Sequence, residues 1–113
     1  MAFDAVLADR LRDILAPLGP IRELKMFGGL AFMLHGHMIC CVWGEGILVR
    51  LGAEGVALAV AAGEAEAFRP TGKNTALGLA LVPDAASLDD DDLQAWADRA
   101  AAFVRTLPPK ALS

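Results

Sequence analysis

A chain of 113 residues that is 56% hydrophobic has enough apolar material for one domain with its own core and needs no disulfide or metal staple. Its net charge of -4 and pI near 5.0 lack the basic excess of a domain that grips phosphates, so no direct nucleic-acid contact is expected. No apolar run approaches the roughly 20 residues of a bilayer span, and Met1-Ala2-Phe3-Asp4 has neither region of a signal peptide, so a cytoplasmic protein without a membrane partner is expected.

Phe3 to Leu18 places Phe3, Val6, Leu7, Leu11, Ile14, Leu15 and Leu18 on one stripe, with Asp4, Asp9, Arg10, Arg12 and Asp13 mostly off it. That is the period of an amphipathic helix. Pro17, Gly19 and Pro20 end it. Ile21 to Phe27 then reads as a brief strand, with Leu24 and Met26 on one side and Glu23 and Lys25 on the other. The pair Gly28-Gly29 that follows marks a bulge, a tight bend or a close backbone approach.

The middle of the chain holds three apolar runs, Leu30 to Leu34, Met38 to Trp43 and Ile47 to Leu51, separated by His35-Gly36-His37 and Gly44-Glu45-Gly46. Runs of that length between turn residues predict an antiparallel β-meander. His35-Gly36 suits a two-residue hairpin, because histidine tolerates positive φ and the second position needs glycine. Gly44 stands where a type II′ turn requires glycine, although Gly46 leaves a three-residue loop open. With two-residue loops, Leu30, Phe32, Leu34, His37, Ile39, Cys41, Trp43, Leu48 and Arg50 share one face. Ala31, Met33, Met38, Cys40, Val42, Ile47, Val49 and Leu51 share the other. Both faces are apolar, so both must be covered.

Beyond Gly52, Ala53 to Ala62 predicts a short helix with Val56 and Val60 at helical spacing and Gly63 just past its end. Glu64 to Asn74 reads as an exposed loop anchored by Phe68. Thr75 to Val82 alternates leucine with small residues before Pro83, as a last strand does. Ser87 opens a capping-box-like Ser-Leu-Asp-Asp, with Asp89 to Asp92 at the positive end of a helix dipole. Leu93, Trp96, Ala97, Ala100, Phe103, Val104 and Leu107 form that helix's stripe, and Pro108-Pro109 closes it. The order predicts an α+β fold, an antiparallel meander sheet packed by N-terminal and C-terminal amphipathic helices, in one domain over 1–113.

Few residues suggest chemistry. His35, His37, Cys40 and Cys41 are metal-ligand types, but the turn sends His35 away and paired ligands from two segments are missing, so they read as turn histidines and core thiols. Neighbouring cysteines on a strand point to opposite sides and cannot readily bridge, which fits reduced thiols. A thiolate in mid-strand among Met, Ile and Val is disfavoured, which weakens a Cys-His nucleophile. Gly72-Lys73-Asn74-Thr75 ends like a phosphate loop, but Ala67 stands where its first glycine belongs. Asp89 to Asp92 lack the ligand spacing of a calcium loop. Lys25, Arg50, Arg69 and Lys73 are scattered cations, read as solvated charge or, with Phe27, as contacts for a protein partner. Gly28, Gly29, Gly36 and Gly44 read as structural turn residues, and no catalytic residue, metal or cofactor is expected.

Met26-Phe27-Gly28-Gly29, the hairpin at His35-Gly36-His37-Met38, the strand Ile47 to Leu51, a strand ending at Pro83, and the closing helix with Trp96 before Leu107-Pro108-Pro109-Lys110 together resemble the TfoX/Sxy N-terminal domain family of bacterial competence regulators. The resemblance covers nearly the whole chain and implies a compact α+β domain without known catalytic chemistry. Long members add a C-terminal helical domain and promote transcription of DNA-uptake genes beside the cyclic-AMP receptor protein. A chain ending at Ser113 is expected to be a short, stand-alone member. Two functions follow as expectations. The first is a non-enzymatic protein-interaction domain, tied to the transcription machinery and able to form a homodimer through apolar sheet surface left uncovered. The second is a small-ligand site or minor enzyme in a cleft beside the meander, lined by Phe27, His35, His37 and Trp43.

Overall fold

The computed structural model describes residues 3–26, 28–68 and 78–108. Its elements are α1 (Ala5–Leu15), β1 (Ile21–Met26), β2 (Gly29–Leu34), β3 (His37–Trp43), β4 (Gly46–Arg50), α2 (Gly52–Ala61), β5 (Glu66–Ala67), β6 (Leu79–Val82) and α3 (Asp90–Val104). The strands form one antiparallel sheet in the order β1-β2-β3-β4-β6-β5. The α+β meander is therefore present as predicted, and β6 extends it beyond β4.

Helix α1 starts where Asp4 accepts a hydrogen bond from the Leu7 N–H at 3.0 Å, which satisfies one of the free first-turn donors. A 3₁₀ turn, Ala16–Leu18, carries its end past Pro17. Leu7, Ala8, Leu11 and Leu15 are buried, whereas Val6 is 69% exposed. Val6 sits 100° around the helix from Leu7, away from Ala8, so the stripe is narrower than expected and shifted off it. Helix α3 is capped by Asp89, which accepts from the Asp92 N–H at 2.9 Å. Ser87 is not the cap; it ends a preceding 3₁₀ turn, Ala85–Ser87, and its hydroxyl donates to the Asp84 carbonyl at 2.7 Å. Leu93, Trp96, Ala97, Ala100, Ala101 and Val104 turn inward. In α2, Val56 and Ala59 are buried and Val60 is exposed.

One face of the sheet carries Leu30, Phe32, Leu34, Ile39, Cys40, Val42, Ile47, Val49, Ala80 and Val82 against residues of α1, α2 and α3. The opposite face buries Ala31, Met38, Cys41, Leu48, Phe68 and Leu79, edged by Met26, Met33 and Leu81. Both faces are covered, as two-sided apolarity demands. The membership differs from expectation, and a bulge is the cause. Phe32 pairs with Cys40 but Met33 pairs with Met38, so Ile39 is an extra residue in β3. One inserted residue reverses the alternation beyond it. Cys40, Val42, Ile47 and Val49 therefore join Leu30 and Phe32, while Cys41 and Leu48 join Ala31. The connection after α2 also holds a two-residue strand, β5, where only loop was expected. The predicted strand from Thr75 begins, within the described residues, at Leu79, and residues 75–77 lie outside them.

Candidate interaction surface

Strand direction sorts the turns into two ends. Met26 pairs with Gly29 and Trp43 with Gly46, so those two reversals share one end, while the Leu34–His37 pair closes the opposite end. At His35-Gly36 both residues take positive φ, 53° and 82°, the I′ geometry that matches strand twist. At the other hairpin Gly44 alone has positive φ, 60°, so the loop is the two-residue one. Gly46 is reserved for packing: a Cβ there would lie 2.6 Å from the Val82 carbonyl oxygen.

The Gly44-Glu45 tip is held from two sides. The Asp4 N–H donates to the Gly44 carbonyl and the Ala86 N–H to the Glu45 carbonyl, both at 2.9 Å. Beside this fixed tip runs an open groove of about 460 Å³ lined by Gly28, Trp43, Gly44, Glu45, Gly46, Leu81 and Pro83. Trp43 is 38% exposed and meets Phe68 edge-on, with ring centroids 5.4 Å apart at 73°. The pieces form an aromatic wall, an aliphatic floor at Leu81, a nearly side-chain-free rim of glycines, and one carboxylate at Glu45. Such a groove accepts an apolar side chain and gives a neighbouring cation a counter-charge. Sequence reading singled out Trp43 but placed it in another cleft, and it missed Glu45, Leu81 and Pro83 because the groove joins separate segments.

That other cleft does not form from the residues named for it. His35 and His37 stand at the far end of β3 from Trp43, about 20 Å along the strand. His35 is exposed in the turn. His37 is buried, its Nε2 lies 2.6 Å from the Pro108 carbonyl oxygen, and its Nδ1 has no partner. Phe27, Arg69 and Lys73 lie outside the described residues. Lys25 is exposed on β1, and Arg50 is half-buried at the end of β4, its Nε enclosed without a hydrogen-bond partner. Three strand spacings, about 14 Å, separate those two strands, so Lys25 and Arg50 make no common patch.

The turn glycines have distinct roles. Gly28, Gly36 and Gly44 take positive φ, where a side chain is strained. Gly29 is fixed by space: a Cβ there would lie 2.1 Å from the Val42 carbonyl oxygen. Cys40 and Cys41 are free thiols on opposite faces. Burial pushes the Cys41 thiol up to about 11, and burial together with neighbouring Cys41 raises Cys40 further. Neither is an available nucleophile at neutral pH. Among the described residues no group of three or more His, Cys, Asp or Glu side chains is placed to hold a metal ion, and no helix is long and apolar enough to cross a membrane.

The ion pairs fasten elements together. Arg10 bonds Asp90 and the Leu88 carbonyl, at 2.9 and 2.6 Å, tying α1 to the start of α3. Arg12 grips both carboxylate oxygens of Glu23, at 2.6 and 2.9 Å, and also bonds Asp9. Its guanidinium holds the Glu23 carboxyl below its usual range. Arg99 lies 4.3 Å over the Trp96 ring and pairs with Glu64.

Neither the curated proteins nor the solved structures contain a match to this chain. The family model for the TfoX N-terminal domain, by contrast, matches residues 13–104, a span that runs from α1 through the whole sheet to the last residue of α3. The chain belongs to the TfoX N-terminal domain family.

Proposed function

We propose that this domain is a non-enzymatic protein-interaction module of bacterial transcription control, acting in the cytoplasm, and that its protein partner seats an apolar side chain beside Trp43. Kinship with a domain of competence regulators supports the regulatory half. The observation that carries the binding half is a large aromatic, 38% exposed, on a hairpin end fixed by two backbone hydrogen bonds. Aromatic anchors on rigid supports dominate protein interfaces. The buried thiols, both raised away from reactivity, support a role without covalent chemistry.

The test is affinity capture from the native cell with wild-type protein and with Trp43→Glu. Retention of an RNA polymerase subunit or a transcription activator by the wild type, and its loss with the variant, is the expected result. Circular dichroism of the variant should match the wild type. If no transcription protein is retained, or both forms retain it equally, the proposal fails. The groove volume also falls in the small-ligand range, and an NMR fragment screen that shifted Trp43 and Leu81 with micromolar ligands would favour that second reading.

A further inference from the structure

Among the described residues the sheet has two edges of very different length. β5 offers two residues, whereas β1 offers six, paired to β2 without any register break. A long edge exposes a row of backbone donors and acceptors that another strand can complete, and proline, a bulge or charged side chains are the usual protection. β1 contains no proline and no bulge, and its three charges, Arg22, Glu23 and Lys25, are of both signs, so that an antiparallel partner can pair them rather than be repelled. Arg22, Glu23, Leu24 and Lys25 are all exposed, and Leu24, at 42%, is among the large apolar residues left in solvent. The homodimer expected from an uncovered sheet face has no such face to use, because Ala31, Cys41, Leu48 and Leu79 are each 0% exposed within one chain.

We propose that β1 is a self-pairing edge: two copies join antiparallel through it about a two-fold axis at Leu24, making one continuous sheet. The register follows from charge. A two-fold axis perpendicular to the sheet places one residue opposite its own copy, and Arg22, Glu23 or Lys25 at that position would set like charges face to face. Leu24 is the one uncharged choice among the four exposed residues. In that register each Glu23 stands opposite Lys25 of the second copy, on the face that Glu23 already shares with Arg12, and each Arg22 stands opposite Met26. Two complementary pairs thus flank an apolar contact. Five residues per strand make a small interface, so association is concentration-dependent rather than permanent. This pairing leaves the Trp43 groove open and stands or falls apart from the regulatory reading.

Sedimentation velocity across a concentration series tests association, and cysteine cross-linking tests register. Directly opposed residues of antiparallel strands have Cα atoms about 4.5 to 5.5 Å apart, which a disulfide spans. Leu24→Cys should therefore oxidise to a covalent dimer under mild oxidant, and Arg22→Cys should not. Lys25→Glu should raise the dimer dissociation constant about tenfold or more, since it sets two carboxylate pairs in opposition. The double variant Glu23→Lys with Lys25→Glu should return it to within about threefold of wild type. Strictly monomeric protein up to about 1 mM, or equal cross-linking at positions 22 and 24, overturns the proposal.

Discussion

The two faces of the sheet carry buried clusters of very different size. The helix-covered face is built from large side chains, Phe32, Leu34, Ile39, Ile47 and Val49, which meet Leu7, Leu11, Leu15 and Trp96. The other buries a smaller cluster, Ala31, Met38, Cys41, Leu48, Phe68 and Leu79, and strand alternation adds Gly29 and Gly46 to it, where a Cβ would strike a carbonyl oxygen of the neighbouring strand, Val42 of β3 or Val82 of β6. Helices pack about 10 Å away and leave depth to be filled, so lost volume is the threat on the first face. At Gly29 and Gly46 the adjacent strands of the sheet leave no room for a Cβ, so added volume is the threat there.

The largest expected effect tests that contrast within one dipeptide. Gly29→Ala should destabilise by about 4 kcal/mol or more, because its Cβ would lie 2.1 Å from the Val42 carbonyl, which the ladder holds in place. Gly28→Ala meets no atom within 4 Å, and should cost only about 1 kcal/mol for its positive φ. Urea denaturation of the two variants gives the comparison directly. If both cost the same, the Val42 carbonyl yields and lack of space is not what requires glycine at position 29.

Volume removal should rank the other way. Phe32→Ala, at 0% exposure in the centre of the helix-covered face, should cost about 3–5 kcal/mol. Phe68→Ala should fall at or below the bottom of that range, because Phe68 keeps 6% exposure and touches the half-exposed Trp43. It should also shift the Trp43 emission, read in a Trp96→Phe background.

Much of this division was legible in the sequence and some was not, for definite reasons. Helical stripes showed because Leu7, Leu11 and Leu15 or Leu93, Trp96 and Ala100 repeat among charged residues, and the hairpins showed because His35-Gly36 and Gly44 satisfy backbone angles few residues accept. The bulge at Ile39 did not, since Met38 to Val42 is apolar throughout and carries no polar residue to mark where alternation reverses. Ser87 looked like the cap of α3 because its spacing to the aspartates fits, but Asp89 bonds Asp92. The Trp43 groove was hidden because Gly28, Leu81 and Pro83 reach it only through the strand order, with β6 beside β4.

Thiol chemistry reads the two faces at two adjacent sequence positions. Cys41 lies on the face with the smaller buried cluster and its thiol is pushed up to about 11, while Cys40, facing the helices, is raised further. Local opening is easier where fewer groups pack, so iodoacetamide should modify Cys41, in a Cys40→Ala variant, at least about tenfold faster than Cys40 in Cys41→Ala. Both raised thiols favour the neutral form, so their stabilisation is complete below the ordinary thiol value of 9.0 and is lost as pH rises through the folded value. Between pH 9 and about 11 the wild type should therefore lose stability more steeply than Cys41→Ala.

The smallest effect belongs to the rim of the helix-covered face. Arg12 of α1 reaches Glu23 of β1 with two hydrogen bonds, extending the helical layer over the edge strand; the Leu24 side of that strand has no matching clamp among the described residues. Both partners are largely in water, so the pair should contribute about 0.5 kcal/mol or less. Its sign with pH is fixed by the lowered Glu23 carboxyl: the contribution is present above the ordinary value of 4.5 and disappears as pH falls through the folded value. Glu23→Gln should thus be slightly less stable than wild type at pH 7, equal to it once the pH has fallen below the folded value, and closer to it at pH 7 in 1 M salt. A deficit that persisted at low pH would mean that Glu23 acts by packing, and that the edge of the sheet is held by the same contacts as its centre.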